Sequence, residues 1–155
     1  MTMLTNSAVT AQDYVTAMIG DQLFGLPIER VQDVFAVDRL TRVPLAKDDI
    51  AGVFNLRGRI VTVVDMRRRV DMPVRSSSAM PMAIGVDCKG ESYGLLIDEI
   101  GEVLSLTRDS YEPNPVNLDA ALAAVSLGVH RLDGSVLVVL DVDRVLDLGQ
   151  KRAAA

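Results

Sequence analysis

Apolar and polar positions follow the same pattern in two blocks of the chain. Residues 52–66 predict a strand, a tight turn, a second strand and the start of a short helix. The β-branched run at 60–64 favours a strand over a helix, and Gly58 supplies the turn residue. The pattern returns at residues 128–142, where both glycines, the aspartate after the second strand and the apolar positions recur in one register. Such agreement indicates a repeated unit.

A second pair of segments supports the duplication, because residues 24–34 match residues 93–103. The chain is therefore interpreted as two copies of one unit, and this repeat decides the fold. Units this small bury little of their surface alone, so we expect the copies to share an apolar interface. The predicted organisation is a tail at 1–12, a β-barrel subdomain at 13–75, a linker at 76–81, a second β-barrel subdomain at 82–148 that ends in a short helix, and a tail at 149–155.

Short strands joined by tight turns predict all-β small barrels rather than an alternating α/β sheet. The secondary structure of one segment stays undecided at this point. Residues 29–35 fit either a single helical turn or a bent strand, and their periodicity does not decide between the two.

Charge and composition narrow the class of partner. The net charge is -5 and the sequence pI is about 4.8, so nucleic acid is not an expected partner. The basic run at 67–69 is interpreted as a solvated helix face. The first residues lack the pattern of a signal peptide, and no apolar stretch reaches the length of a membrane span. A cytoplasmic protein without direct membrane insertion is expected.

Candidate catalytic residues are few. Cys88 is the single cysteine, which excludes an intrachain disulfide and a cysteine-based metal site, and it is interpreted as a small core residue. His130 is the single histidine, and it takes the place that Phe54 has in the first copy. No catalytic triad, metal-ligand or P-loop spacing occurs, so no catalytic residue, metal or cofactor is predicted. The alternative from another class is a small β-barrel enzyme or ligand sensor that works through His130 or Cys88.

The two hairpin tips differ where the repeat otherwise agrees. The second copy has Asp133-Gly134, a strong hairpin turn signal, whereas the first has Arg57-Gly58. Arg is a poorer choice than Asp where φ has to be positive, and a local rule broken in one copy suggests a functional position. The alternative is a type I turn with Gly58 in a bulge, which leaves Arg57 merely solvated.

The run Asn55-Leu56-Arg57-Gly58 and its flanking residues resemble the signature of the CheW-type chemotaxis coupling proteins. The aromatic-Gly-Leu segments, Val-Gln-Asp-Val at 31–34 and Val-Leu-Ser-Leu at 103–106 resemble the same family, and the likeness runs from about residue 14 to 148. The resemblance implies two internally duplicated, five-stranded SH3/OB-like β-barrels packed together, with short helices. It also implies a protein without enzymatic activity.

The resemblance implies a scaffold that bridges chemoreceptor cytoplasmic tips and the regulatory domain of the histidine kinase CheA, which has the same fold. Further CheW-like copies are a third class of partner, and receptors would hold the protein at the inner face of the membrane. An alternative is the same module in a pathway with a non-flagellar output. The residues expected to contact receptor or kinase are Val31, Asp33, Gly52, Arg57, Gly58 and Val103.

Two residues depart from the family pattern. Asp33 replaces the more usual Glu, which shortens the reach of that carboxylate by one methylene. Phe54 is bulkier than the residue expected there, which bears on partner preference.

Overall fold

The alternating and β-branched segments form strands in the computed structural model, which describes residues 11–73 and 81–147. Such residues fit the half-buried, pleated surface of a sheet. Eleven strands lie within these ranges, numbered in chain order: β1 Ala11–Ile19, β2 Gln22–Pro27, β3 Asp33–Ala36, β4 Ile50–Leu56, β5 Arg59–Asp65, β6 Met82–Cys88, β7 Glu91–Ile97, β8 Glu99–Thr107, β9 Tyr111–Glu112, β10 Ser126–Leu132 and β11 Ser135–Leu140.

Aspartates begin two of the short helices, as the repeat predicts. The Asp65 side chain accepts a hydrogen bond from the Arg67 backbone N–H, and Asp141 accepts from the two N–H groups that follow it at 143 and 144. Each carboxylate thereby satisfies N–H groups that a helix start leaves without a partner. The helices are α1 Met66–Arg69, α2 Ala120–Val125 and α3 Val142–Val145.

The strands form two sheets. The six-stranded sheet has the order β8-β1-β2-β11-β10-β9, and the five-stranded sheet has the order β3-β6-β7-β5-β4. The hairpins are antiparallel, whereas β2 pairs with β11 and β5 pairs with β7 in parallel. The predicted all-β class, with two packed β units and short helices, is confirmed. One sheet has the expected five strands and the other has six.

The sheets do not follow the two sequence copies. Residues 33–97 supply the whole five-stranded sheet, while the six-stranded sheet takes β1 and β2 from the chain start and β8 to β11 from its later part. The expected subdomains 13–75 and 82–148 therefore correspond to the two sequence copies, but each sheet contains strands from both. Each copy contributes its first hairpin to the sheet that the other copy completes.

The first residues of the predicted subdomains, at 13 and 82, are described, whereas the last ones, at 75 and 148, lie outside the described residues. Ala11 and Gln12, expected in the tail, begin β1. Residues 1–10, 74–80 and 148–155 are outside the described ranges, and they include the tail at 149–155 and all of the predicted linker except Pro81.

One large apolar cluster joins both sheets. It contains buried residues of the six-stranded sheet such as Phe24 and Val138, and of the five-stranded sheet such as Val64 and Ile84. Each sheet also has a smaller cluster of its own, around Phe35 in one and around Leu137 and Val139 in the other. Because the largest buried apolar surface is common to both sheets, the expected shared interface is confirmed.

The basic run at 67–69 is not the solvated face that the sequence predicts. The Arg67 guanidinium donates to both carboxylate oxygens of Asp98 over 3.1 and 2.6 Å. Arg69 is only 3% exposed and donates to the backbone carbonyl of Val145 over 2.8 Å. Only Arg68 is exposed, beside Asp65. Two of the three arginines therefore tie α1 to segments of the second copy.

Candidate protein-interaction site

The hairpin tip between β4 and β5 adopts a left-handed turn. Arg57 has a φ of 52° and Gly58 a φ of 85°, the pair of positive angles that a type I′ turn requires. The Gly58 N–H donates to the side-chain Oδ1 of Asn55 over 2.8 Å. The alternative of an unstrained type I turn at Arg57 is thus wrong, because Arg57 takes a conformation that arginine rarely adopts.

The matching tip of the second copy differs in its backbone. Gly134 has a φ of 81°, but Asp133 is not among the non-glycine residues with positive φ in the described ranges, which are Leu45, Arg57, Asp71 and Lys89. Arg57, which is less suited to a positive φ than Asp, therefore has one, whereas its counterpart Asp133 does not. The two tips share a sequence pattern without sharing a turn.

Asp33 lies beside Arg57. The Asp33 Oδ2 is 3.7 Å from Arg57 Nη1, and the other carboxylate oxygen accepts from the Val34 N–H over 2.9 Å. An exposed ion pair of this length contributes about 0–1 kcal/mol to stability. Because the Arg57 side chain is 80% exposed, its planar set of donors stays open to a partner.

Val31 precedes this carboxylate in the chain. A 3₁₀ turn at Ile28–Arg30 ends at Val31, and β3 begins at Asp33. Both alternatives left open for residues 29–35 therefore occur, one after the other. Val31 is half-buried and packs against the shared cluster, while Ile28 and Val34 on either side are exposed. Exposed apolar side chains therefore occur close in sequence to Asp33, on either side of Val31.

Gly52 is buried in β4, away from the exposed tip. Its φ is 153°, and a Cβ there would lie 2.6 Å from the backbone oxygen of Thr41. Thr41 pairs with Val53 through two backbone hydrogen bonds of 2.9 Å, so the close approach is part of the sheet edge. Gly128, the counterpart in the second copy, is also crowded, in its case by the Tyr111 side chain. The packing of both copies therefore explains this glycine.

Val103 lies on the other sheet. It sits in β8, at one edge of the six-stranded sheet, opposite Val15 in register. Its side chain is 54% exposed, and Ile100 on the same strand is also exposed. The structure therefore brings Asp33, Arg57 and Gly58 together, with Val31 near by in the chain, and leaves Val103 on an edge of the other sheet.

Asn55 belongs to the site, although it is not among the residues expected from the sequence. Its side chain accepts the hydrogen bond that closes the turn at Gly58. The spacing of three residues between an Asn and a turn glycine was the available signal, because Asn side chains commonly bond to backbone groups near by in turns.

His130 fills a core position, as predicted. It is 2% exposed, its Nδ1 lies 2.8 Å from Ser110 Oγ, and its Nε2 lies 3.2 Å from the Tyr14 hydroxyl. Burial lowers the pKa of His130. In the five-stranded sheet the corresponding place is taken by Phe54, which stacks on Phe35 at 5.3 Å. The histidine therefore substitutes for an aromatic packing residue.

Cys88 does not have the surroundings of a reactive thiol. It is half-buried, and its Sγ lies 3.6 Å from Asp143 Oδ1. Burial and the neighbouring carboxylate raise the pKa of the thiol, whereas reactive cysteines have a lowered pKa. Within residues 11–73 and 81–147, no group of three or more His, Cys, Asp or Glu side chains could hold a metal ion.

Comparison with known proteins agrees with this architecture. The profile of the CheW-like domain matches residues 13–150. The chain belongs to the CheW-like domain family. Among its CheW relatives, the chemotaxis protein CheW of Klebsiella aerogenes is 27% identical over 135 residues, covering 87% of this chain and 81% of that protein. The CheW of Rhizobium meliloti is 25% identical over 151 residues, covering 97% and 96%.

A solved CheW structure has the same fold. The crystal structure of the scaffolding protein TtCheW from Thermoanaerobacter tengcongensis superposes with a TM-score of 0.75 and 28% sequence identity. The match covers 84% of this chain and 89% of that one. The resemblance to CheW-type proteins is therefore confirmed in sequence and in structure. None of the helices in the described parts of this CheW-like chain has the length and apolar character needed to span a bilayer.

Proposed function

We propose that this chain is a non-catalytic chemotaxis adaptor that couples chemoreceptor cytoplasmic tips to the regulatory domain of the histidine kinase CheA. The observation that carries the proposal is the exposed Arg57 tip, held in a left-handed turn beside Asp33. Neither feature is needed to form a hairpin, since the second copy joins β10 to β11 through Asp133, which does not have a positive φ. The likeness to CheW chemotaxis proteins and to the scaffolding protein TtCheW supports this class of function.

The proposed contact surface has a charged part and an apolar part. Arg57 offers a fork of donors to a carboxylate or carbonyl on a partner, and Gly58 permits close approach because nothing lies within 4 Å of its open side. Val31 and Asp33 extend this surface along the chain, and Val103 supplies an apolar contact on the other sheet. Gly52 acts from inside, through the packing of β4 against Thr41.

The two departures from the family pattern have different consequences. Asp33 lies within ion-pair distance of Arg57 despite its shorter side chain, so the pair of charges is presented together. Phe54 is half-buried and packs into the cluster of the five-stranded sheet. Its bulk is therefore proposed to affect the core more than the choice of partner.

An enzyme or ligand sensor is the less supported alternative. The nitrogens of His130 are engaged with Ser110 and Tyr14, and the Cys88 thiol has a raised pKa. A chemosensory pathway with a non-flagellar output would use the same surfaces, as would further CheW-like copies. We propose a cytoplasmic location, with attachment to the inner face of the membrane through receptors.

A reconstitution tests the function. The purified chain is mixed with a soluble receptor cytoplasmic fragment, with the CheA regulatory domain, and with both, and each mixture is separated by size-exclusion chromatography. The expected result is two binary complexes and one ternary complex. The double variant His130→Asn, Cys88→Ala serves as control and is expected to form all three complexes. Absence of both binary complexes, or their mutual exclusion, would contradict the adaptor.

A further inference from the structure

We propose that Asn55 is a positioning residue for Arg57, which acts by holding the hairpin tip in the conformation that partners bind. This inference rests on the proposed function of Arg57. Its basis is the hydrogen bond from the Gly58 N–H to Asn55 Oδ1, which spans the turn from one side of Arg57 to the other. Asn55 itself is an exposed residue at the end of β4, so packing does not explain its identity.

The second copy shows that the hairpin can form without this amide. The residue at the place of Asn55 is Arg131, whose guanidinium donates to both oxygens of the Glu112 carboxylate over 2.9 Å. The first copy therefore has Asn55 and Arg57 where the second copy has Arg131 and Asp133. The tip that carries Arg57 is thus also the tip that carries the Asn55 amide.

A third hairpin shows that the turn type does not demand the amide either. Lys89 and Gly90 join β6 to β7 with φ values of 51° and 80°, close to those of the Arg57 tip. Asp87 stands three residues before Gly90, as Asn55 stands before Gly58, but its Oδ1 accepts from Ser92 Oγ instead. The Asn55 bond is thus an additional restraint, placed on the tip that carries the proposed contact.

The restraint explains how Asn55 affects binding without touching a partner. A left-handed conformation is disfavoured for arginine, so an unrestrained tip populates other conformations part of the time. Association then has to order the turn, and this entropic cost weakens binding. By holding the Gly58 N–H, Asn55 keeps the Arg57 backbone in the left-handed conformation from which its guanidinium is presented near Asp33.

A double-mutant cycle tests the inference. Asn55→Ala, Arg57→Ala and the double variant are titrated by calorimetry with the receptor fragment and the CheA regulatory domain. Loss of one conformation-holding hydrogen bond should weaken binding about three- to tenfold in Asn55→Ala. In the Arg57→Ala background the same change should have no effect, because Asn55 acts only through Arg57. Asp87→Ala, at the Lys89–Gly90 turn, is the matched control and should bind like wild type.

Hydrogen exchange reports the restraint independently of any partner. The Gly58 amide should exchange about three- to tenfold faster in Asn55→Ala, and Asn55→Asp, which keeps an acceptor oxygen, should restore slow exchange. Wild-type binding by Asn55→Ala, with weakened binding by Arg57→Ala, would overturn the positioning role and leave the adaptor function intact. If Asn55→Ala weakens binding equally in the wild-type and the Arg57→Ala proteins, the positioning role is overturned as well, since Asn55 would then contact the partner directly. If Arg57→Ala also binds normally, both proposals are wrong.

Discussion

The β4–β5 and β10–β11 hairpins share a framework, but their tips differ in the turn and in the outward-facing residues. Both tips carry a glycine with φ above 80°, and each second strand leads into a short helix capped by an aspartate, Asp65 or Asp141. At the outward positions, Asn55 and Arg57 in one copy stand where Arg131 and Asp133 stand in the other. The comparison separates residues that the fold requires from residues that it merely carries, because the fold is built twice in one chain.

The largest expected effect is on a framework residue. Gly52→Ala places a Cβ against the Thr41 backbone at a φ of 153°, and a backbone cannot move aside as the end of a flexible side chain can. We expect a loss of about 2–4 kcal/mol in the free energy of unfolding, measured by urea denaturation. Gly128→Ala, the counterpart, should also destabilise strongly. A Gly52→Ala variant that keeps wild-type stability but loses partner binding would identify Gly52 as a contact residue instead.

The next effect concerns binding and should spare stability. Arg57→Ala is expected to weaken binding of receptor fragment or CheA regulatory domain by about 1–3 kcal/mol, because arginines are frequent interface hot spots. The melting temperature should change little, since the exposed side chain buries little area. Asp133→Ala should behave in the opposite way, with binding kept and a loss of stability below about 1 kcal/mol. Calorimetric titration and thermal melts of both variants measure the contrast, and unchanged binding by Arg57→Ala would reduce that arginine to a solvated turn residue.

His130 and its counterpart Phe54 should differ in how they make the folding stability depend on pH. Burial lowers the pKa of His130 in the folded state, so the unfolded chain binds more protons than the folded one around the usual histidine pKa. Stability contributed by the neutral ring is therefore present at higher pH and is lost as the pH falls through the unfolded pKa. His130→Phe, which introduces the residue of the first copy, should remove this part of the pH dependence. Urea denaturation of both proteins between about pH 5 and pH 8 tests it, and identical pH profiles would contradict it.

Local features of the fold could be predicted because they depend on near neighbours. The β-branched run before Asp65 predicts a strand, and the aspartate predicts a cap, without reference to distant residues. Arg67 and Arg69 could not be placed in this way, because Asp98 and Val145 lie far away in sequence. The assignment of hairpins to sheets was also beyond local reasoning, since it depends on the parallel pairings of β5 with β7 and β2 with β11.

The candidate site shows the same limit. Arg57 could be predicted because it stands where its counterpart has the Asp of a common turn signal, and that contrast is visible in the sequence. The nearness of Asp33 could not, because it depends on how β3 and the β4–β5 hairpin approach each other in space. Gly52 was expected to be a contact residue on family grounds, but the close approach of Thr41 gives it a packing role that only the three-dimensional structure reveals.

The smallest effect should come from the ion pair at the tip itself. Asp33→Asn removes the carboxylate charge that faces Arg57 and keeps a side-chain oxygen for the Val34 N–H. Because the Arg57 side chain is highly exposed and the separation is 3.7 Å, we expect stability to change by less than about 0.5 kcal/mol. A double-mutant cycle of Asp33→Asn with Arg57→Ala, measured by urea denaturation, should therefore give a coupling free energy below about 1 kcal/mol. A clearly larger coupling would mean that Arg57 is already committed to Asp33, and the difference between the two tips would then be a matter of stability rather than of partner binding.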